Sequence, residues 1–112
     1  MSTEEKLVTL LSGMKVFPLL KPEGEVSPCV LYQRISTQER NHHGGKGLKL
    51  SRFQLTCLDS TKAGVVSLVE EVKNRLDLNQ TTWLFSWLIN QYDDLEENFF
   101  KTILEFYIFE ED

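Results

Sequence analysis

His42 and His43 are the residues whose type most directly invites chemistry, because an imidazole can ligate a metal or act as a general base near neutral pH. Adjacent side chains in an extended loop point apart, and no cysteine or carboxylate stands at ligand spacing around them. A solvated loop is the ordinary reading. Gly44-Gly45-Lys46-Gly47 faintly resembles a phosphate loop, but it lacks the G-x-x-x-x-G-K-[ST] spacing and no helix is expected to open after it. Cys29 and Cys57 each lie in a strand-like run, and Cys57 shares the apolar parity of Phe53 and Leu55. A nucleophilic Cys/His pair needs an exposed, acidic thiol, so catalysis is not expected. One disulfide is geometrically possible if the two strands are neighbours; two small buried thiols in a reducing cytoplasm are the expectation. The Asp93-Asp94 and Glu96-Glu97 pairs and the terminal Glu110-Glu111-Asp112 read as solvated carboxylates rather than a cation site. Trp83, Phe85 and Trp87 would stack nucleic-acid bases only with basic residues flanking them, and core or protein interface fits them better. No cofactor or metal is expected.

The elements that position these residues follow from periodicity. Ser2 and Glu5 have capping-box spacing, and Leu7, Leu10, Leu11 and Met14 form one helical stripe that Gly13 ends. Lys15–Leu20 is extended, with Pro18 barring a regular central strand. Lys21–Ser27, with Pro22 and Gly24, is a turn or loop, and Cys29–Ile35 is a strand. Leu48–Leu58 alternates: Phe53, Leu55 and Cys57 face one way and Arg52, Gln54 and Thr56 the other. Asp59-Ser60-Thr61 caps a second helix with the stripe Val65, Val69, Val72 and Leu76, and Glu71 with Arg75 on its solvent side.

Trp83–Tyr92 is open to a helical or an extended reading; its aromatic and β-branched content and hairpin-like spacing favour a strand. Asp93–Asn98 then reads as an acidic turn. Phe99–Phe109 has Phe100, Leu104, Phe106 and Ile108 on one parity and Phe99, Ile103, Tyr107 and Phe109 on the other. The expected fold is α+β: a mainly antiparallel four- to five-stranded sheet with two helices packed on one face. Two helices cover one face only, which leaves the second faces of the last two strands with surplus apolar residues. That surplus points to a protein partner, unless the sheet packs so as to bury both faces.

At 112 residues the chain is expected to be a single domain, 1–112, large enough for one core. A formal charge of −5 argues against nucleic-acid binding as the main activity. The acidic, amphipathic start lacks the pattern of a signal peptide and no apolar run is long enough to span a bilayer, so a soluble, intracellular chain is expected. Asn79-Gln80-Thr81 is then an incidental sequon. Thr37–Gly47 holds no apolar residue and is expected to be a mobile loop that orders against something else.

Val16-Phe17-Pro18, Pro22-Glu23-Gly24 and Pro28-Cys29-Val30-Leu31-Tyr32-Gln33-Arg34-Ile35-Ser36 carry a family resemblance. With Leu50-Ser51-Arg52-Phe53-Gln54-Leu55-Thr56-Cys57 and the Ala63–Leu76 helix, they resemble the small tail-completion proteins of long-tailed bacteriophages and prophages, also called tail-terminator or tail-to-head joining proteins. The resemblance covers about Val16 to Leu76, with a looser fit to the end. It implies a late structural protein that caps the head-proximal end of the tail tube as a ring, commonly of six subunits, halts tube growth and presents a surface for the head. The implied partners are copies of itself, the major tail tube protein and a head-completion or connector protein, with no membrane and with DNA only passing through the lumen. The implied location is the host cytoplasm during assembly and then the virion tail.

On this reading Glu39, Arg40, His42, His43 and Lys46 are the candidate loop interface, and Arg34 and Arg52 are candidates for inter-subunit ion pairs or ordinary exposed strand charges. A second reading is a small regulatory protein-binding module that uses an exposed apolar sheet face. A third, a small hydrolase centred on His42 and His43, would lose all turnover on replacing both with Ala.

Overall fold

A computed structural model of the chain describes residues 2–18, 28–40, 47–96 and 99–111. Its elements run α1 (Thr3–Leu10), β1 (Val16–Pro18), β2 (Cys29–Arg40), β3 (Leu48–Asp59), α2 (Lys62–Leu76), β4 (Phe85–Glu96) and β5 (Phe99–Glu111). The five strands form one sheet in the order β1-β2-β3-β5-β4, and only the β1–β2 pair is parallel. The expected fold class holds.

Both helices begin as their sequences specify. The Ser2 hydroxyl accepts from the Glu5 amide and the Glu5 carboxylate accepts from the Ser2 amide, a complete capping box that satisfies two otherwise orphaned donors. Gly13 follows α1 at φ 91°, a backbone conformation glycine adopts without steric cost. Thr61 caps α2 by accepting from the Gly64 amide. Arg75 pairs with Glu71 one turn earlier and also donates to the carbonyl oxygens of Leu10 and Ser12, tying the end of α1 to α2.

The strand register sorts every side chain onto one of two faces. On the inner face successive rows across β2, β3, β5 and β4 read Thr37–Ser51–Ile108–Ser86, Arg34–Phe53–Phe106–Leu88, Tyr32–Leu55–Leu104–Gln91 and Val30–Cys57–Thr102–Asp93. Leu7 of α1 and its C-cap Leu11, with Val65, Val69, Val72 and Leu76 from α2, close over the apolar centre of these rows together with Trp83. Both helices therefore lie on this face and the core sits beneath them.

Three sequence expectations need correction. The loop expected from Thr37 starts later: Thr37–Arg40 continues β2 and pairs with Leu48–Ser51. Polar side chains do not prevent a strand when the backbone ladder is satisfied. Residues 41–46 of that expected loop lie outside the described residues. Asp93–Glu96 is likewise strand rather than turn, since β4 runs to Glu96 opposite Phe99. The strand expected over Trp83–Tyr92 is not one regular strand either: Trp83 precedes β4 and belongs to the core, and the register shifts between Leu88 and Asn90.

Candidate assembly surfaces

Among the described residues the opposite face of the sheet carries no helix. Its rows, again from β2 to β4, read Gln38–Leu50–Phe109–Phe85, Ser36–Arg52–Tyr107–Trp87, Gln33–Gln54–Glu105–Asn90, Leu31–Thr56–Ile103–Tyr92 and Cys29–Leu58–Lys101–Asp94. Leu50, Phe85, Trp87, Tyr107 and Phe109 meet at one end of it, all half-buried. Phe85 stacks on Trp87 with ring centroids 5.3 Å apart, and Trp87 meets Tyr107 at 5.3 Å with the planes tilted by 52°. Such pairs favour offset or tilted geometry, so the cluster is held in place by contacts within the subunit.

A polar belt crosses the face beside this cluster. Arg52 Nη2 lies 2.9 Å from Glu105 Oε1, and Asn90 Nδ2 donates to Glu105 Oε2 at 2.9 Å. Glu105 is 8% exposed, so these two donors replace most of the water its carboxylate lost. Arg52 thus has a partner within the subunit. Arg34 also has one: its guanidinium lies 2.8 Å from Glu4 Oε1 of α1 and 5.3 Å from the centre of the Phe53 ring. The register puts Arg34 on the helix-covered face and Arg52 on the open one.

The backbone of Glu39 and Arg40 forms the end of β2, opposite Lys49 and Leu48. His42, His43 and Lys46 lie outside the described residues. Cys29 and Cys57 are buried thiols not joined in a disulfide, and burial, then the neighbouring Cys29, pushes the Cys57 thiol up to about 12. A thiol so hard to ionise is no nucleophile at neutral pH. Among the described residues no group of three or more His, Cys, Asp or Glu side chains is placed to hold a metal ion.

Two acidic groups have partners within the subunit: Asp93, which stays exposed, and Glu110, which is buried. Asp93 accepts from the Thr102 hydroxyl at 2.8 Å and from Lys62 at 3.3 Å, and these hydrogen bonds hold its carboxyl below the usual range. Glu110 is 4% exposed and receives the Thr3 hydroxyl, Lys6 at 3.1 Å and Lys49 at 3.3 Å. Burial pushes its carboxyl up, but the Thr3 and Lys6 hydrogen bonds and the charges of Lys49 and Lys6 outweigh it and hold it low. No local pattern around Glu110 signals this, because its partners come from α1 and β3.

No protein-family model matches the chain, and no curated protein matches it. Among solved structures the fold is shared with a chain from the virion of a native gene transfer agent particle. The TM-score is 0.71 at 13% identity, over 95% of this chain and 84% of that one. At that identity the likeness is one of fold.

Proposed function

We propose that the chain is a non-catalytic virion assembly protein that forms a ring at the head-proximal end of a phage-type tail tube, ends tube growth and joins tail to head. The observation that supports this most is the likeness of nearly its whole fold to a chain of a gene transfer agent virion. The resemblance of Val16–Leu76 to tail-completion proteins makes the reading specific. The helix-free face also suits a subunit whose apolar surface is finished by neighbours.

In this role Glu39, Arg40, His42, His43 and Lys46 contact a ring neighbour or the tube protein, and the Leu50–Phe85–Trp87–Tyr107–Phe109 cluster meets the tube or head partner. Arg34 and Arg52 reach across subunits only by sharing or exchanging their present partners, Glu4 and Glu105. The ring passes DNA without holding it, and a net charge of −5 keeps the duplex from sticking. The protein assembles in the host cytoplasm and stays in the virion.

The test is removal of the protein from cells producing the particle, followed by electron microscopy. Overlong tubes and unattached heads are expected; normal virions overturn the reading. The half-buried aromatic cluster also suits a regulatory module that holds one partner. A stable one-to-one complex with a non-virion protein would select that alternative.

A further inference from the structure

The two sides of the sheet are each half closed and half open. On the β2 side, β1 pairs only with Val30–Tyr32, and among the described residues no strand continues along Gln33–Arg40. On the β4 side, the segment leaving α2 covers only the start of the strand. The Ser86 amide donates to the Asn79 carbonyl oxygen at 3.1 Å, and the Leu88 amide to Asp77 Oδ1 at 2.9 Å. Past the register shift, Asn90–Glu96 has no strand beside it among the described residues. An edge of six or more residues is a template for pairing, and most proteins shield it.

We infer that the open half of β2, Gln33–Arg40, pairs with the open half of β4, Asn90–Glu96, of a second copy of this chain, making one continuous antiparallel sheet around the ring. This rests on the ring proposed above and names the surfaces that close it. Direction supports it. Along β2, β3, β5 and β4 every pairing is antiparallel, so β2 and β4 run oppositely. Copies related by rotation about a ring axis keep their strand directions, so β4 of one meets β2 of the next in antiparallel fashion.

Charge selects this joint over a two-fold one. From the sequence, Arg34 and Arg40 against Glu39 leave Gln33–Arg40 at a formal +1, whereas Asp93, Asp94 and Glu96 give Asn90–Glu96 a formal −3. Pairing β4 with β4 would bring the acidic segments together, partly offset by Lys62 and Lys101, which already hold Asp93 and Asp94. Joining unlike edges head to tail avoids that repulsion, and head-to-tail contacts close into rings.

The offset between the open halves also fits a ring. Thr37 shares a row with Ser86, so seating it beside Asp93 needs a stagger of about six residues, or ~20 Å at ~3.3 Å each. One repeat of four strands spans ~19 Å, so the strands would incline by about 45°, at the upper end of the tilts that closed barrels use.

Disulfide trapping with the full chain tests this. Two double variants, Gln38→Cys with Tyr92→Cys and Ser36→Cys with Asp94→Cys, place thiols on exposed outer-face positions of the two edges. Mild oxidation of assembled protein should give a ladder of covalent oligomers ending at the closed ring, while each single variant gives none. Dimers from Tyr92→Cys or Asp94→Cys alone would show a two-fold β4–β4 joint and overturn the inference. Closed rings seen by electron microscopy with neither pair trapped would overturn it too, yet leave the proposed function standing. Absence of any closed ring, free or on tail tubes, would remove the ring reading itself. As a second measurement, Gln91→Pro removes a β4 backbone N–H that now donates to Asn90 Oδ1 at 3.0 Å and that a paired strand would take instead. Ring population should fall at least tenfold with the thermal midpoint of the monomer little changed; unaltered rings would count against the inference.

Discussion

Arg52 and Glu105 face each other across β3 and β5 on the helix-free side, with guanidinium nitrogen and carboxylate oxygen 2.9 Å apart. Glu105 is nearly buried and Arg52 is not, so the pair is asymmetric: losing the arginine strands a carboxylate, whereas losing the carboxylate frees a cation that water can reach. Arg52→Ala should therefore cost about 1–3 kcal/mol of unfolding free energy, on the scale of a lost charge-assisted hydrogen bond. Arg52→Ala with Glu105→Gln should recover part of it. Urea unfolding of the two single variants and the double variant measures the coupling; strictly additive effects would show that the contact contributes nothing in solution.

Glu110 gives the chain a pH dependence of definite sign. Its carboxyl is held low in the folded protein by Thr3, Lys6 and Lys49 against the opposing effect of burial. A group whose folded value lies below its unfolded one binds fewer protons when folded. Its stabilisation is full above the ordinary carboxylate value near 4.5 and is lost as pH falls through the lowered folded value. Unfolding free energy should thus drop on acidification below about pH 4.5, and Glu110→Gln should flatten that limb while lowering stability at pH 7. Chemical denaturation between pH 3 and 7 (roughly the span where carboxylates titrate) checks both. An acid limb of unchanged slope in the variant would rule out this role for Glu110.

What the sequence made legible was local. The capping box of α1, the stripe of α2 and the alternation of Phe53, Leu55 and Cys57 each lie within one element, where side-chain spacing reports directly on geometry. The surplus of Tyr107, Phe109 and Ile103 over Leu104, Phe106 and Ile108 could be counted for the same reason. Register shifts were not legible. The one between Leu88 and Asn90 exchanges faces midway along β4, so parity counted from Trp83 fails after it. Nor was the extent of β2, because Thr37–Arg40 is held as strand by β3 rather than by anything its own polar residues reveal. Of the candidate site, the apolar face was foreseen in outline. The partners that hold Arg34, Arg52 and Glu110 come from distant segments and had no signature in sequence.

Trp83 is 5% exposed and packs in the core, and its indole nitrogen has no acceptor among the described residues. Truncation and conservative replacement should then diverge sharply. Trp83→Ala opens a cavity and should cost about 3–5 kcal/mol. Trp83→Phe deletes an unsatisfied buried donor along with part of the ring, so the two effects oppose and the loss should be below about 2 kcal/mol. Guanidinium unfolding resolves the difference. Equal losses would mean that the indole N–H finds a partner in solution.

Trp87 provides the contrasting case, since it sits at the centre of the helix-free aromatic cluster, half-buried, between Phe85 and Tyr107. In the isolated chain its replacement by Ala forfeits two ring contacts worth about 0.5–1.5 kcal/mol each, and no enclosed cavity is left behind. Monomer stability should therefore fall by less than for Trp83→Ala. If this cluster meets the tube or head partner, however, Trp87 is a large aromatic at the middle of an interface, where truncation commonly costs ~2 kcal/mol or more of binding. Trp87→Ala should then weaken co-sedimentation with tail tubes or heads by at least ~30-fold in apparent affinity, at ~1.4 kcal/mol per tenfold, while Thr56→Ala on the same face leaves it unchanged. A Trp87→Ala chain that is markedly less stable yet assembles normally would place the cluster inside the subunit's own architecture rather than at a contact. Comparing unfolding free energy with co-sedimentation for the same two variants separates these outcomes, because one reads the monomer and the other only the assembled particle.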